Sequence, residues 1–312
     1  MNSKNLKIDN NNSGRRLDNF LFSVYKNIPK SKIYSMIRKG EIRVNSSRIK
    51  PAHKLKINDE VRIPPYLKIS LTKPIIPLDK IDQFLLSIVY ENENYFVVNK
   101  EPEISVHSGT SNQFGLIDIA RAKFPSYEID LCHRIDKSTS GCVILSKNKK
   151  FLRHFHNQLK KNEIVKKYEA LLLGVLKKDF VLETVIDLSK KKYIHKVQES
   201  KTGTGKTAIS KFIVLNKYNS FSHVEIIITT GRMHQIRFQS ANINHPLVND
   251  KKYGLAEINK YIFKETSINR LALHASSIEF NDLDGSKAAF QIPKNSDFDI
   301  LLSKVKNITV KY

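Results

Sequence analysis

The sequence has no tryptophan, only two cysteines and no long apolar run. Cys132 and Cys142 are too few for a disulfide framework, and they lack the paired spacing of zinc ligands. No apolar stretch approaches the roughly 20 residues that span a bilayer, and residues 1–13 lack the apolar segment of a signal peptide. These absences predict a protein of the reducing cytoplasm that holds no metal and has no membrane partner.

Acidic residues are also scarce. The chain has 30 Asp and Glu against 53 Lys and Arg, which gives a formal net charge of +23. A surplus of that size attracts a polyanion and releases its counterions on binding. A biased, Lys- and Asn-rich composition explains part of the surplus, but residues 1–65 alone hold 15 basic and 5 acidic residues. Nucleic acid is therefore the predicted partner, ahead of a membrane surface.

The pattern along the chain predicts two domains. Residues 1–13 are expected to form a disordered tail, 14–64 a small basic module, and 65–84, a stretch with three prolines, a linker. From residue 85 to 312, short apolar strands outnumber helices and follow no regular βαβ alternation. The predicted fold class is α+β, with a largely antiparallel sheet.

Apolar spacing and turn residues locate the elements more closely. In the basic module, residues 17–24 and 33–37 repeat apolar side chains at helical spacing, and Gly40 is suited to end the second helix. Turns are predicted at Asn45-Ser46 and Asn58-Asp59. In the large domain, helices are predicted over 115–124, 150–162 and part of 231–242.

The segment HRIDKSTSG, residues 133–141, is the first that can carry chemistry. Asp136 lies between the cations Arg134 and Lys137, which favour its ionised form. The polar turn that follows can hold the carboxylate at the mouth of a cleft. The competing interpretation is a surface turn with a local ion pair, and it is the more frequent one for a lone Asp in a charged loop.

Two further segments place an Arg and a Tyr beside predicted strands. In TTGRMHQIR, Arg232 follows a strand end and can clamp a phosphate or pair with a carboxylate. Arg237 alone is interpreted as a solvated basic helix end. In KKYEALLLG, Tyr168 offers a ring for base stacking and a hydroxyl for hydrogen bonding, although spacing alone favours a Tyr packed in the core.

KTGTGKT, residues 201–207, resembles a phosphate-binding loop. That motif requires Gly five residues before Gly205, and Ser200 stands there instead. The preceding segment, YIHKVQES, is also too polar for the strand that leads into such a loop. A nucleoside triphosphatase is therefore not predicted.

Taken together, the segments resemble the RluA-type pseudouridine synthases, whose signature is HRLD, two residues, then TSG. The match continues in order over residues 85–285, through IVYENENYFVVNK, the signature, KKYEALLLG, GKTAIS, TTGRMHQIR, NHPLVNDKKYG and LALHAS. In the basic module, RRLDNFL, PKSKIYSMIRKGEIRVN and INDEVRIP are similar to an S4 RNA-binding domain. SNQFGLIDIARAKFP and INRLALHAS favour the branch of the family that acts on large-subunit ribosomal RNA.

The resemblance implies a reaction and a role for each site residue. Such enzymes cut the N-glycosidic bond of uridine, rotate the uracil and rejoin it through C5, which needs no cofactor because no atoms are lost. Asp136 falls at the position of the nucleophile, and Arg232 at that of its ion-pair partner. Tyr168 falls at the position of the ring that stacks on the target base. Arg134 falls at that of the side chain that fills the gap when the base flips out.

The resemblance also implies the architecture and the partners. The catalytic domain is expected to have a mixed, largely antiparallel sheet around a central cleft. The substrate is expected to be 23S ribosomal RNA rather than DNA, and a monomer is the default state. The S4-like residues expected to contact RNA are Arg15, Arg16, Lys30, Ser31, Lys32, Arg38 and Lys39.

The sequence departs from the family at a few turns. In NKEPEISVH, Glu101 and Glu103 stand where the family has Pro and Gly, and Ser46 and Asn58 replace glycines of the S4-like turns. A different class of function stays open, namely an inert protein that binds ribosomal RNA or assists ribosome assembly. That class predicts decay at the Asp, the Tyr and the second Arg of the site. All three are intact, which favours the enzyme.

Overall fold

In the computed structural model of the chain, the apolar spacing near the N-terminus produces two short helices beside a three-stranded sheet. The structure describes residues 4–10, 12–25, 28–67, 76–108, 114–188, 197–199 and 206–311. The chain divides into two units, residues 1–75 and 76–312. The elements of the first unit are β1 (Lys4–Lys7), α1 (Leu17–Val24), α2 (Lys30–Lys39), β2 (Arg43–Val44) and β3 (Glu60–Ile63).

The first residues of the chain belong to this sheet. β1 pairs antiparallel with β3, with Leu6 opposite Val61, and Ile8 is buried in the core of the unit. The prediction of a disordered tail over 1–13 is therefore wrong for residues 4–8. Backbone hydrogen bonds to β3 hold this polar strand, and such bonds leave no side-chain pattern in the sequence.

The predicted turns of the first unit are confirmed by left-handed backbone angles. Gly40 ends α2 with φ +73°, and Asn45 and Ser46 have φ +48° and +65°. Asn58 has φ +66°. Glycine and asparagine adopt this region at little cost, whereas a serine does so less readily.

The second unit begins before its predicted boundary at residue 85. The helix α3 (Leu78–Leu86) overlaps the predicted linker, 65–84, and Phe84 is only 3% exposed in the core. Pro77 is the residue before the helix, where its fixed φ and its missing N–H do no harm. The linker prediction is therefore wrong from residue 78 onward.

The remaining elements build one large sheet with helices on both faces. The helices are α4 (Leu116–Lys123), α5 (Lys149–Lys161), α6 (Gln235–Asn242), α7 (Ala256–Thr266) and α8 (Ser296–Val305). The strands are β4 (Ile88–Glu91), β5 (Tyr95–Lys100), β6 (Asp130–Leu131), β7 (Ser140–Ser146), β8 (Val165–Leu173), β9 (Phe180–Leu188), β10 (Val197–Glu199), β11 (Lys206–Lys217), β12 (Phe221–Ile228), β13 (Leu273–Asn281) and β14 (Lys287–Gln291). The three helices predicted in this domain are confirmed. No helix in the described ranges is long and apolar enough to cross a membrane.

The strand order confirms the predicted α+β class with a largely antiparallel mixed sheet. Within the described residues the order is β10-β9-β11-β12-β8-β13-β7-β5-β4, with β14 on β13 and β6 on β7. Among the strand pairs of the described residues, only β13–β7 is parallel. Of the rejected phosphate-loop segment, 201–205 lie outside the described residues, as does Ser200.

The parallel junction positions the functional loop, which leads into β7. Gly141 of β7 has φ +107°, and a Cβ there would lie 2.3 Å from the carbonyl oxygen of Ala275 in β13. Only glycine therefore permits this close approach of the two strands. Along the neighbouring β8, Tyr168 and Leu172 face one core, while Leu171 belongs to the core on the opposite face with α8.

Candidate active site

The loop that carries Asp136 is a tight turn anchored at its C-terminal end. The backbone N–H of Thr139 donates to the carbonyl oxygen of Asp136 at 3.2 Å. The next residue, Ser140, is fully buried; its hydroxyl accepts a hydrogen bond from Arg270 at 2.7 Å and lies 2.9 Å from Nδ1 of His274. The loop is thereby fixed to β13, which also supplies a wall of the site.

The N-terminal end of the loop is anchored as firmly. Nε2 of His133 accepts the backbone N–H of Ile144 at 3.1 Å, and the His133 ring stacks on Phe155. Burial, with a smaller contribution from the charge of Lys166, lowers the pKa of His133 to about 3. His133 is therefore neutral and serves as a rigid support for the loop.

A buried lysine supports the loop from a third side. Nζ of Lys100 donates to the carbonyl oxygens of Glu101 at 2.7 Å and of Lys137 at 3.1 Å. Burial lowers the pKa of Lys100 to about 7. Because Lys137 directly follows Asp136, the lysine fixes the main chain beside the carboxylate.

The carboxylate of Asp136 forms an ion pair with Arg237. Nη1 of Arg237 lies 3.1 Å from Oδ2 of Asp136, and the two side chains are 10% and 23% exposed. The other edge of the guanidinium donates from Nε and Nη2 to Asp250, both at 2.8 Å. Arg237 therefore bridges a partly open carboxylate and a wholly buried one.

Electrostatics keep Arg237 and Asp250 charged. Burial by itself disfavours the charge of Arg237, but the carboxylates of Asp250 and Asp136 outweigh it and raise the pKa of the guanidinium above its usual value. Burial likewise tends to raise the pKa of Asp250, but the hydrogen bonds from Arg237 hold it below the ordinary range. The site thus retains a fixed cation beside Asp136 at neutral pH.

The prediction that Arg232 pairs with Asp136 is wrong, as is the interpretation of Arg237 as a solvated helix end. Nε of Arg232 donates to the carbonyl oxygen of Thr207 at 2.9 Å, and its backbone N–H donates to the side chain of Gln235. The helix α6 begins at Gln235, after His234 in the left-handed conformation with φ +52°. The left-handed turn at His234 directs the first turn of α6 so that Arg237 faces the buried Asp250.

The residues predicted from the signature segments meet at one cavity of about 460 Å³. Arg134, Asp136, Tyr168 and Arg232 all line it, and of these four only Asp136 forms an ion pair within the part of the chain that the structure describes. Apolar residues complete the wall, namely Ile135, Leu159, Ile228, Ile236 and Leu273. The volume and the mixed polar and apolar lining suit a small polar ring whose faces contact apolar side chains.

Tyr168 and Lys166 enter this cavity from β8. Burial, and next the charge of Asp136, raise the pKa of Tyr168 well above its usual value, so the phenol is neutral. Burial and the nearby charge of Arg232 lower the pKa of Lys166 to about 8. The lining includes four basic side chains, from Arg134, Lys166, Arg232 and Arg237, and one carboxylate, that of Asp136. The cavity therefore favours an anionic ligand.

Sequence reasoning missed several residues of the site. Asp250 and Tyr253 lie in the segment NHPLVNDKKYG, which resembles the family but predicts no site residue by itself. The Tyr253 hydroxyl lies 2.9 Å from Nδ1 of His234, and the Arg237 guanidinium lies over the Tyr253 ring. One feature indicates that Arg237 faces the interior of the protein. It lies one residue after the buried Ile236, in the first turn of the helix.

The S4-like residues form a basic surface on the first unit. Arg16 pairs with the buried Asp18 at 2.6 Å, and Nζ of Lys30 lies over the ring of Phe22. The rest of α2 turns Ile33 and Ile37 into the core. Exposed side chains on this surface are those of Arg16, Lys30, Ser31, Lys32, Arg38 and Lys39, while Arg15 is half-buried.

Two family models match the chain. One, described as RNA pseudouridylate synthase, matches residues 94–242, and the other, described as S4 domain, matches residues 15–61. The first match contains Asp136, Tyr168, Arg232 and Arg237. The second covers most of the first unit.

Curated relatives cover nearly the whole chain. The chain is 37% identical over 299 residues to the ribosomal large subunit pseudouridine synthase C of Buchnera aphidicola subsp. Acyrthosiphon pisum, covering 93% of this chain and 94% of the relative. The proteins of the same name from Haemophilus influenzae and Vibrio cholerae are 35% and 33% identical, with at least 95% of each chain covered.

Solved structures show the same fold. Human RNA Pseudouridylate Synthase Domain Containing 1 superposes with a TM-score of 0.58 at 25% identity, covering 69% of this chain and 86% of that one. Human RNA Pseudouridylate Synthase Domain Containing 4 gives a TM-score of 0.61 at 21% identity, covering 73% and 96%.

Proposed function

The chain belongs to the RNA pseudouridylate synthase family and carries an S4 domain, and on that premise we propose that it isomerises specific uridines of large-subunit, 23S ribosomal RNA to pseudouridine. The names of the relatives support this substrate. The reaction loses no atoms, so we propose that it proceeds without a cofactor. We further propose that the protein acts as a monomer in the cytoplasm.

One observation carries the proposed mechanism, which is the position of Asp136. Its carboxylate is partly open to the cavity and is oriented by Arg237, whose other edge is locked to the buried Asp250. A carboxylate that is ionised, oriented and partly desolvated can act as a nucleophile. We assign it the attack that separates the uracil from its ribose, whether at the sugar or at the pyrimidine ring.

The other lining residues have roles that follow from their environment. Tyr168 offers an apolar ring face and a neutral hydroxyl beside Asp136, which suits stacking on the target base. Arg134 is exposed at the edge of the cavity and has no hydrogen-bond partner among the described residues. We propose that it occupies the space left in the RNA when the uridine flips out.

The apolar part of the wall has a role of its own. Once the bond between N1 and the ribose breaks, the uracil must turn so that C5 faces the sugar. Leu159, Ile228 and Leu273 contact it without hydrogen bonds and exclude water, so the base can rotate without being lost.

Replacing Asp136 by Asn tests the proposal. The change removes the nucleophile, while Arg237 keeps its buried partner Asp250, so folding and RNA binding are expected to persist within a few fold. We expect no pseudouridine in a 23S ribosomal RNA transcript incubated with the Asp136→Asn variant, as measured by chemical mapping. Asp130→Asn, a carboxylate outside the cavity, is the matched control and should retain activity.

Either of two results would contradict the proposal. Pseudouridine formation by the Asp136→Asn variant at the wild-type rate would remove Asp136 from the mechanism. RNA binding by the wild-type protein with no pseudouridine formed would instead favour an inert RNA-binding or ribosome-assembly protein.

A further inference from the structure

A second cavity lies next to the Asp136 cavity and shares Arg237 with it. Its volume is about 200 Å³. The residues that line it are Glu103, Lys137, Ser138, Arg237, Asn249, Lys251, Asn269 and Leu271. Because Lys137 and Ser138 directly follow Asp136, an RNA strand that leaves the Asp136 cavity on this side passes over the second cavity.

A third cavity continues the row. Its volume is about 320 Å³, and it shares Asn249, Lys251 and Asn269 with the second cavity. Its far wall is the helix α7, which contributes Asn259 and Phe263. The three cavities therefore follow one another from Asp136 to α7.

The boundary between the second and third cavities is polar and cationic. Lys251 and Asn269 are exposed, and neither side chain has a hydrogen-bond or ion-pair partner among the described residues. Asp250 is among the residues that line the third cavity, but its side chain is wholly buried and bound to Arg237. The charge offered to a ligand at this boundary is therefore positive, as a phosphate requires.

The third cavity also offers an aromatic ring. Phe263 is 48% exposed although it lines the cavity. An exposed ring in a cavity that Asn269 also lines is suited to a nucleobase, because every base has a face for stacking and polar edges for hydrogen bonds.

We propose that the third cavity binds the base of a nucleotide close to the target uridine in the same RNA strand, with Phe263 stacked on that base and Lys251 on an intervening phosphate. This inference rests on the proposed function, since it takes the Asp136 cavity as the target site. It makes the cavity a source of sequence preference beyond the uridine itself.

Steady-state kinetics with matched variants test the inference. The variants are Phe263→Ala and Lys251→Ala. Their controls replace an exposed aromatic residue and a lysine of α7 that line none of the three cavities, Tyr261→Ala and Lys264→Ala. The probe is a short synthetic RNA around a uridine mapped as modified, together with copies that carry one abasic nucleotide at each neighbouring position. Phe263→Trp tests whether any aromatic ring suffices.

We expect Phe263→Ala to raise KM at least about fivefold with kcat unchanged, as the loss of one stacked base predicts. Phe263→Trp should have a KM close to that of the wild type. One abasic RNA should show the same raised KM with the wild-type protein and no further rise with Phe263→Ala. Lys251→Ala should weaken binding and lower the salt slope by about 1. Both controls should match the wild type.

Equal KM values for Phe263→Ala and Tyr261→Ala, or a Phe263→Ala effect that persists with every abasic RNA, would overturn the inference while leaving the proposed function intact. If the wild-type protein forms no pseudouridine in any ribosomal RNA, the proposed function fails and the inference falls with it.

Discussion

Asp250 accepts two hydrogen bonds of 2.8 Å from Arg237 and thereby decides which way the guanidinium faces. The remaining nitrogen, Nη1, is left for the carboxylate of Asp136. A residue that does not line the Asp136 cavity therefore sets the position of the proposed nucleophile. Bidentate pairing of this kind needs the planar fork of Arg and is not reproduced by Lys.

Replacing Arg237 by Lys should therefore destabilise the fold and reduce activity together. A single ammonium cannot satisfy both carboxylates, so we expect a loss of about 2–3 kcal/mol in the free energy of unfolding, measured in urea. Arg232→Lys is the control, because Arg232 contacts no carboxylate in the ranges that the structure describes, and it should cost less than about 1 kcal/mol. The reverse order of the two losses would make Arg232 the partner that matters.

The contrast between these two arginines shows why the sequence predicts only part of the site. Both follow β12, Arg232 four residues and Arg237 nine residues after its last residue Ile228, and both are Arg in a polar segment. What separates them is the left-handed residue His234 and a buried carboxylate 13 residues beyond Arg237. Neither feature can be read from the residues next to the two arginines. Asp136 is different, because the turn and the apolar strand that position it directly follow it in the sequence.

The same reasoning explains the errors at the N-terminus and at the linker. The strand Lys4–Lys7 is held by pairing with residues more than 50 positions away. The prolines of residues 65–84 predict a linker, but one of them, Pro77, directly precedes the helix Leu78–Leu86. Local composition predicted the alternation of strands and helices well, because burial of an apolar stripe leaves a periodic pattern.

Glu103 is expected to strain its turn. It has φ +63°, which lies in the region that glycine adopts freely. The family that the sequence resembles has a glycine at this position. We predict that Glu103→Gly raises the free energy of unfolding by about 1 kcal/mol, or the Tm by about 2 °C. Glu103→Ala keeps the Cβ and should gain little. If the two variants are equally stabilised, the cause is the charge of Glu103 rather than its backbone.

The basic face of α2 is expected to anchor RNA. Arg38 and Lys39 are exposed in the last turn of the helix. We predict that Arg38→Ala with Lys39→Ala weakens binding of 23S ribosomal RNA and lowers the slope of log K against log salt by about 2, because each phosphate contact contributes about one. Exchanging the two residues, Arg38→Lys with Lys39→Arg, keeps both charges. An unchanged slope in the alanine variant would remove this face from the RNA contact.

Lys166 should give RNA binding a pH dependence near neutrality. Its ammonium lines the Asp136 cavity, and burial lowers its pKa to about 8. The charge is present below that pH and lost above it, so affinity should fall as the pH rises through about 8, by roughly tenfold if Lys166 contacts a phosphate. A bound phosphate favours the charged form and moves this fall to higher pH in the complex.

Dissociation constants measured between pH 6.5 and 9 with the Asp136→Asn background separate this effect from turnover. Lys166→Arg should bind tightly with little pH dependence, because a guanidinium stays charged. Lys166→Met should bind weakly at every pH. Lys167→Met is the matched control, since Lys167 pairs with Glu279 and does not line the cavity. It should keep the pH dependence of the Asp136→Asn parent, and a flat profile in that parent would show that RNA does not reach Lys166.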